Sequence, residues 1–187
     1  MPNNTEDLFD EKAVIKRILD GRKNDYALLI RAHQQQVYAM IMRTTGNPDT
    51  AQELTQESFI RAYKSLKTFR GQAAFSTWVT RIAINCTNSW YQSKSCQQQR
   101  QKVALDEIAE PLDSGTAIDP FNEENIIRLQ QGLAAMDEKY RSVMMLCSLE
   151  GKSYQQAADI LDLPYGTVCS RMNAAIKFLR KFFREDV

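Results

Sequence analysis

The apolar residues of this 187-residue chain recur every three to four positions between short polar breaks. Side chains with this spacing share one face of a helix, whereas a strand would alternate every second residue. Only 7 glycines and 5 prolines interrupt the pattern. The sequence therefore predicts an all-α protein. Helices are expected over about residues 11–19, 24–45, 48–66 and 75–93, then from near 123 and near 137, with a final pair within 153–181.

The polar breaks contain helix start and stop signals. Gly21 and Gly46 fit helix C-termini, where a left-handed residue is needed. Asn24 is expected to cap the second helix. Residues 47–49 (Asn-Pro-Asp) combine a capping side chain, a proline at the first helical position and an acid in the first turn.

The final helix pair has a more specific pattern. Ser153 and Gln156 fit a capping box, Asp162 stands where the turn needs a left-handed residue, and Pro164 suits the start of the second helix. A short helix, a turn and a second helix with a polar outward face are the parts of a helix-turn-helix DNA reader. Any antiparallel helix pair also has caps, a turn and an apolar seam, so the local pattern leaves plain packing open.

Charge is distributed unevenly although the net charge is only +1. Residues 18–100 hold 11 basic and 5 acidic side chains, 101–124 hold one lysine and 7 acids, and 125–187 hold 9 basic and 7 acidic side chains. This predicts two small helical domains, residues 1–96 and 123–187, joined by a flexible acidic linker over 97–122. The basic domain could hold phosphates, and the linker could equally be merely solvated and disordered.

Composition argues against a membrane protein and against most enzymes. No apolar run approaches the roughly 18 residues that span a bilayer, and the polar N-terminus predicts no secretory signal, hence a cytoplasmic location without membrane insertion. The four cysteines form no C-x-x-C pair, and His33 is the only histidine. The sequence therefore predicts reduced, mostly buried thiols, no metal, no cofactor and no catalytic residue.

The third predicted helix has two different faces. One face is small or apolar and suits packing: Ala51, Leu54, Ser58, Ala62 and Leu66. The other combines acids, an amide, an isoleucine and an aromatic ring or a lysine: Glu53, Gln56, Glu57, Ile60 and Tyr63 or Lys64. The second face is typical of a protein-docking surface, although a solvated face with one exposed isoleucine remains open.

Aromatic and cationic side chains are interleaved around the fourth helix. The aromatic residues are Phe69, Phe75, Trp78, Trp90 and Tyr91, and the cations are Arg70, Arg81 and Lys94. Rings can stack on unpaired bases while cations hold phosphates, and asparagines can read base edges. Phe75 and Trp78 could instead be core residues. We expect Trp78 to be partly core and Phe69 to be exposed.

These motifs together resemble the extracytoplasmic-function (ECF) sigma factors of bacterial RNA polymerase. The similar segments are LTQESFIRAY at 54–63, FRG at 69–71, FSTWVTRIAIN at 75–85, EGKSY at 150–154 and PYGTVCSR at 164–171. Each segment alone is moderately specific, but the ordered set covers nearly the whole chain. The resemblance implies an alternative sigma factor, with region 2 in the first domain and region 4 in the second.

The resemblance also implies partners and binding residues. The third helix would dock on the beta-prime clamp helices of the polymerase core through Glu53, Gln56, Glu57, Ile60 and Tyr63. The −10 promoter element would be melted and read by Phe69, Arg70, Trp78, Arg81, Asn85, Asn88 and Ser89, with a flipped base beside a loop at about 92–99. The beta flap would be a further docking site, and an anti-sigma factor would restrain a chain that is monomeric when free.

The resemblance implies that the last helix reads the −35 element in the major groove. The residues implied are Tyr165, Thr167, Ser170, Arg171, Asn173, Ala174 and Lys177. The family usually has basic residues at the positions of Cys169, Ala174 and Ile176. The departure leaves Arg171 and Lys177 as the obvious phosphate partners, which predicts weak −35 binding.

Two other classes of protein are consistent with parts of the pattern. A stand-alone helix-turn-helix repressor would explain residues 153–181, but it would not need the aromatic and cationic first domain. A helical enzyme would need a nucleophile motif, a metal-ligand cluster or a Gly-rich phosphate loop, and the sequence has none of these.

Overall fold

The computed structural model describes residues 10–102 and 123–185, and within these ranges it has no strand. The predicted all-α class is confirmed. The helices are α1 (Glu11–Leu19), α2 (Tyr26–Thr45), α3 (Pro48–Ser65), α4 (Phe75–Lys102), α5 (Glu123–Ala135), α6 (Glu138–Met144), α7 (Tyr154–Leu161) and α8 (Tyr165–Glu185). Short 3₁₀ turns cover Lys23–Asp25 and Leu66–Thr68, and a π-helical turn covers Met145–Leu149.

In the N-terminal domain, α2, α3 and α4 pack on one another and α1 packs against α2. The packing face predicted for α3 is confirmed, because its five small and apolar side chains are all buried. Phe75, at the start of α4, is among the largest fully buried side chains. Burying apolar side chains of this size stabilises the bundle by about 1.5–3 kcal/mol each.

Most of the predicted helix ends are confirmed, but Asn24 does not cap α2. Asn47 accepts the Thr50 amide at 2.8 Å, and Gly46 ends α2 with φ +64°. Asn24 instead lies inside a 3₁₀ turn, and α2 begins after Asp25, which makes no side-chain cap bond. The Asp25 carboxylate is already engaged, since Arg17 donates to it at 2.6 Å.

In the C-terminal domain, α7, a tight turn and α8 form the predicted helix-turn-helix. The capping box is present: the Gln156 amide donates to Ser153 Oγ at 3.2 Å, and the Ser153 amide donates to Gln156 Oε1 at 2.9 Å. Asp162 adopts the left-handed conformation, with φ 56° and ψ 52°. These local signals end α7 at the turn and allow α8 to pack back on it.

Helix α4 is longer than the sequence indicated. It was expected to end near residue 93 and to be followed by a loop at 92–99, but it continues to Lys102. Residues 97–101 are glutamines and one arginine, which are good helix formers, and no proline or glycine breaks the segment. The rest of the predicted linker, 103–122, lies outside the described residues.

The two domains contact each other directly. Helix α4 packs against α5, α6 and α7, and α2 packs against α5 and the π-helical turn. The buried apolar side chains of both domains form one contiguous cluster. In the described part of the chain, none of the helices combines the length and the apolar character that crossing a bilayer requires.

Candidate functional site

The outward face of α3 carries an exposed apolar patch beside acidic residues. Ile60 is 48% exposed and Tyr63 is 37% exposed, while Glu53 and Gln56 are also open to solvent. Glu57 is half-buried and accepts a hydrogen bond from Arg61 at 2.7 Å, one turn along the helix. Because large apolar side chains with this much exposed surface would gain from further burial, the face suits a protein partner.

A groove between α2 and α3 extends this patch. It is lined by Tyr26, Ala27, Ile30, Phe59, Ile60 and Tyr63, among others. The Tyr26 hydroxyl donates to the Phe59 carbonyl at 2.7 Å, and its ring centroid lies 4.9 Å from that of Tyr63. Burial, with a smaller contribution from Tyr63, raises the pKa of Tyr26 well above its ordinary value, so the hydroxyl stays protonated. The groove therefore has an apolar floor in which the Tyr26 hydroxyl is neutral and hydrogen-bonded.

The aromatic side chains before and within α4 form a cluster. The Phe69 ring centroid lies 5.2 Å from that of Trp78 and 5.9 Å from that of Phe75. Trp78 is partly buried, as predicted. Phe69 was expected to be exposed, but it is partly buried because its ring packs on the other two. Its remaining surface, with Arg70, lines a groove between the two domains, which Asp159 and Asp162 also line.

The polar residues predicted to read the −10 element do not share one open surface. Arg81, Asn85 and Ser89 are exposed on α4, and the Ser89 hydroxyl donates to the Asn85 carbonyl at 2.9 Å. Asn88 is only 2% exposed. Its amide donates to Ser142 Oγ at 2.9 Å, and its Oδ1 accepts from Arg141 at 3.3 Å. Helical spacing places these residues near one another on α4, but it does not show which of them the second domain buries.

Arg141 is the central residue of this contact, and nothing in the sequence singled it out. Its guanidinium is buried and donates to three main-chain carbonyls near the end of α5, those of Leu133, Ala134 and Met136. It also lies 4.4 Å from the ring centroid of Tyr91. The last carbonyls of a helix lack intrahelical partners, so Arg141 satisfies α5 while it bridges to α4. Burial lowers the pKa of Arg141.

The outward face of α8 is open. Tyr165 is 52% exposed, and Ser170, Asn173 and Lys177 are exposed, while Thr167, Arg171 and Ala174 are half-buried. A hydrogen bond with Cys169 raises the pKa of Tyr165, so the hydroxyl is neutral near pH 7. Tyr165 therefore offers a neutral hydroxyl and an exposed ring at the N-terminal end of α8, where a recognition helix meets base edges.

The sequence analysis undercounted the cations of α8. Lys177, Arg180, Lys181 and Arg184 line one shallow basic groove along its C-terminal half. The spacing of three, four and seven residues from Lys177 places them on one helical face, and this signal was available in the sequence. The helix therefore has a basic surface in addition to Arg171.

A second apolar groove runs along the other side of α8. Its walls are Met144, Met172, Ile176, Leu179 and Phe183, flanked by Arg180 and Arg184. An apolar floor with a basic rim fits a protein segment that carries apolar and acidic side chains. Each domain thus has one surface that bears cations and one apolar groove.

Two family models match successive parts of the chain, and relatives match it over most of its length. The model of Sigma-70 region 2 matches residues 29–95, and that of Sigma-70, region 4 matches residues 126–179. The ECF RNA polymerase sigma-E factor of Haemophilus influenzae is 34% identical over 175 residues, covering 89% of this chain and 91% of that protein. The sigma-E factor of Escherichia coli strain K12 is 31% identical over 176 residues, covering 90% and 91%.

Solved structures support the fold at lower identity. CnrH, in its complex with the cytosolic domain of CnrY, matches with a TM-score of 0.58 at 20% identity, covering 95% of this chain and 99% of that one. The Bartonella quintana sigma factor RpoE, in complex with the anti-sigma factor NepR, gives 0.55 at 20% identity, covering 87% and 99%. From the two region models, matched in order, and the full-length relatives, we conclude that the chain belongs to the ECF sigma factors, a family of transcription initiation factors of RNA polymerase.

Proposed function

We propose that the chain binds the core of bacterial RNA polymerase in the cytoplasm and directs it to specific promoters, acting by binding and not by catalysis. The observation that carries the proposal is the outward face of α3. An exposed isoleucine and tyrosine stand there beside carboxylates, and neither domain covers them. The proposed contacts to the beta-prime clamp helices are Glu53, Gln56, Glu57, Ile60 and Tyr63.

The division into functional regions is part of the proposal. Residues 1–96 act as sigma region 2, residues 97–122 as the linker and residues 123–187 as sigma region 4. Within region 2, the aromatic cluster and the polar stripe of α4 take part in opening and reading the −10 element. The proposed residues are Phe69, Arg70, Trp78, Arg81, Asn85, Asn88 and Ser89.

Region 4 is proposed to read the −35 element with α8 in the major groove. Its base-facing residues are Tyr165, Thr167, Ser170, Arg171, Asn173, Ala174 and Lys177. The basic groove along the C-terminal half of α8 supports phosphate contacts by Arg180, Lys181 and Arg184, in addition to those expected of Arg171 and Lys177. Phosphate contacts set register and affinity, while base contacts set sequence preference.

The apolar groove of region 4 is the proposed docking site of the beta flap. Its basic rim, Arg180 and Arg184, suits acidic residues beside an apolar polymerase segment. An anti-sigma factor that covered this groove and the α3 patch together would keep the monomeric free chain from polymerase. The Bartonella quintana relative of this fold is held in a complex with an anti-sigma factor.

Co-purification tests the proposal and separates it from the alternatives. The tagged chain is expected to retain polymerase core, whereas a repressor would retain duplex DNA alone. Glu57→Lys should weaken core binding at least tenfold, because it reverses a charge beside the apolar patch. The same change should lower the free energy of unfolding by only about 0.5–1 kcal/mol, because it removes the surface contact with Arg61 and places two cations one turn apart on α3.

The matched control is Asp20→Lys, an equal charge reversal at an exposed position directly after α1. It should bind core as the unaltered chain does. Equal core affinity of the Glu57→Lys and Asp20→Lys variants would contradict the assignment of the α3 face. Transcription with core polymerase on a genomic promoter library then identifies the promoters that the chain selects.

A further inference from the structure

We infer that His33 is a positioning residue for promoter opening: it couples the placement of helix α1 to the aromatic cluster of Phe69, Phe75 and Trp78. The inference rests on the proposed role of that cluster at the −10 element. It goes further, because it gives a part in promoter opening to α1, a helix that lies before the residues matched by the region 2 model.

The first observation is a hydrogen bond between α1 and α2. His33 is the only histidine of the chain, and its side chain is 11% exposed. Its Nε2 lies 2.8 Å from Oε1 of Glu11, the first residue of α1. Because a carboxylate can only accept, the imidazole N–H donates in this bond. The bond restricts the orientation of a nearly buried ring.

The second observation is the contact of this ring with the aromatic cluster. The His33 centroid lies 5.4 Å from that of Phe75, which is only 1% exposed. The Phe75 centroid lies 5.9 Å from that of Phe69 and 5.7 Å from that of Trp78. Phe69 and Trp78 are the two rings of the cluster that line the groove. Since aromatic pairs at these separations favour particular orientations, a displaced Phe75 ring would change the placement of both neighbours.

Helix α1 also supports the other end of the segment that carries Phe69. It packs against the 3₁₀ turn Leu66–Thr68, which directly precedes that residue. The Phe69 amide donates to the Leu66 carbonyl at 3.1 Å, and Leu66 is buried. One helix thus supports both ends of residues 69–75, the first end through the turn and the second through His33.

Two polar contacts hold α1 in place, and only the one at Glu11 leads to the aromatic cluster. At the other end of the helix, Arg17 donates to Asp25 at 2.6 Å. Between them, three buried apolar side chains anchor the helix in the core: Val14, Ile15 and Ile18. Loss of the Glu11 contact should therefore leave α1 folded and in place while it frees the imidazole.

Tryptophan fluorescence of the free, full-length chain tests this coupling. The Trp90→Phe chain has Trp78 as its single tryptophan and is the reference for all variants. In this background, Glu11→Ala should shift the Trp78 emission to longer wavelength and increase its quenching by acrylamide, because Phe75 no longer shields the indole from water. Glu11→Gln should restore the reference emission, since an amide oxygen also accepts from the imidazole.

Asp25→Ala is the matched control, because it removes one carboxylate and breaks the other polar contact of α1. It should leave the Trp78 emission unchanged. A second control is the His33→Phe chain, whose ring can pack on Phe75 without a hydrogen bond. Glu11→Ala should have little effect in that chain, because the coupling between the two positions is lost with the imidazole.

Promoter opening provides the second measurement. With polymerase core, Glu11→Ala should reduce open-complex formation by about fivefold, the scale of one hydrogen bond, while core binding stays unchanged. Glu11→Gln should recover most of the opening. Absence of opening by the unaltered chain would contradict the proposed function, whereas the fluorescence of the free chain would still decide whether α1 positions the cluster.

Three fluorescence results would overturn the inference. They are an unchanged Trp78 emission in Glu11→Ala, an equal shift in Asp25→Ala, and an effect of Glu11→Ala that persists at full size in the His33→Phe chain. A shifted emission without any loss of promoter opening would also overturn it, because the cluster would then move without consequence. Circular dichroism of each variant shows whether its helices are intact.

Discussion

The two helices proposed to face DNA differ in what covers them. Helix α8 exposes its outward face, and Tyr165, Ser170 and Asn173 are open to solvent. Helix α4 exposes Arg81 and Asn85, but its neighbouring residues Asn88 and Tyr91 are sealed by α6. Exposure of a candidate binding residue is therefore a property of the domain arrangement as much as of the helix that carries it.

The difference has a chemical basis. The sealed side of α4 carries polar groups that have partners inside the protein. The Tyr91 hydroxyl donates to the Thr44 carbonyl at 2.8 Å, and the Tyr91 ring lies beside the Arg141 guanidinium. The outward side of α8 bears hydroxyl, amide and ammonium groups that water satisfies equally well. The covered side of α4 thus contributes to stability, whereas the outward side of α8 stays available to a binding partner.

Among the substitutions that test this comparison, the largest effect on stability is expected at Arg141. Arg141→Leu leaves the carbonyls of Leu133, Ala134 and Met136 without their donor and removes the bridge to α4. Unsatisfied buried groups cost about 1–3 kcal/mol each, so the free energy of unfolding in urea should fall by about 3 kcal/mol or more. Lys139→Leu, on the exposed side of the same helix, should change it by only about 0.5 kcal/mol.

A loss of less than about 1 kcal/mol in Arg141→Leu would mean that water replaces the guanidinium at the end of α5. The sealed side of α4 would then be no more important for stability than the open side of α8, and the comparison would break.

A second prediction uses pH to probe the sealed side of α4. Burial raises the pKa of Tyr91 to about 12, with Arg141 acting in the opposite direction. Because the folded pKa exceeds the unfolded value of about 10, the stability due to the neutral hydroxyl is complete below pH 10 and is lost as pH rises toward 12. The loss reaches about 2–3 kcal/mol.

Tyr91→Phe provides the matched comparison. At about pH 9 it should be less stable than the unaltered chain by about 1 kcal/mol, because the hydrogen bond to Thr44 is lost. At about pH 11.5 the order should reverse, since the variant has no proton to lose at this position. Urea titrations of both proteins at the two pH values measure this crossover, and an equal stability difference at both pH values would show that the pKa of Tyr91 is the same in the folded and unfolded chains.

Sequence reasoning succeeded where the determinants were local. The caps at Asn47 and Ser153, the left-handed Asp162 and the packing face of α3 all follow from spacings within one or two turns of helix. It failed at Asn24, where the chain closes a 3₁₀ turn before α2, and at the end of α4, where no strong break stops the helix.

The candidate site was predictable to a similar extent and for the same reason. The exposed α3 patch and the open face of α8 follow from helical periodicity within single elements. The burial of Asn88 and the role of Arg141 depend on α6 meeting α4, and the sequence separation of these two residues is 53 positions. Periodicity cannot report such a contact, because it describes one helix at a time.

A third, smaller effect concerns the open part of α4. Asn85 is exposed, and its carbonyl accepts from Ser89 while its side chain faces solvent. Asn85→Ala should reduce open-complex formation by about tenfold and alter preference at one −10 base, because a base contact contributes about 1–3 kcal/mol. Binding to polymerase core should be unchanged. Permanganate footprinting on −10 variants measures both properties, and identical opening by both proteins on every variant would exclude this role.

The smallest effect is expected on α8, where the open face can be given more charge. Cys169 and Ala174 are half-buried, and they stand where the resemblance to the family leads us to expect basic residues. Cys169→Arg and Ala174→Arg each add a cation beside the existing basic groove, so each should strengthen binding to −35 duplex DNA. Each new phosphate contact should steepen the slope of log affinity against log salt by about 0.9.

The control for this last prediction is Gln131→Arg, which adds the same charge at an exposed position of α5. It should raise affinity slightly at low salt and leave the slope nearly unchanged, because a charge away from the DNA releases no counterion. Fluorescence anisotropy over a salt series separates the cases. An unchanged slope in both arginine variants would contradict this prediction. It would mean that the phosphates contact only Lys177, Arg180 and Arg184, and that the N-terminal half of α8 approaches the bases without contacting the DNA backbone.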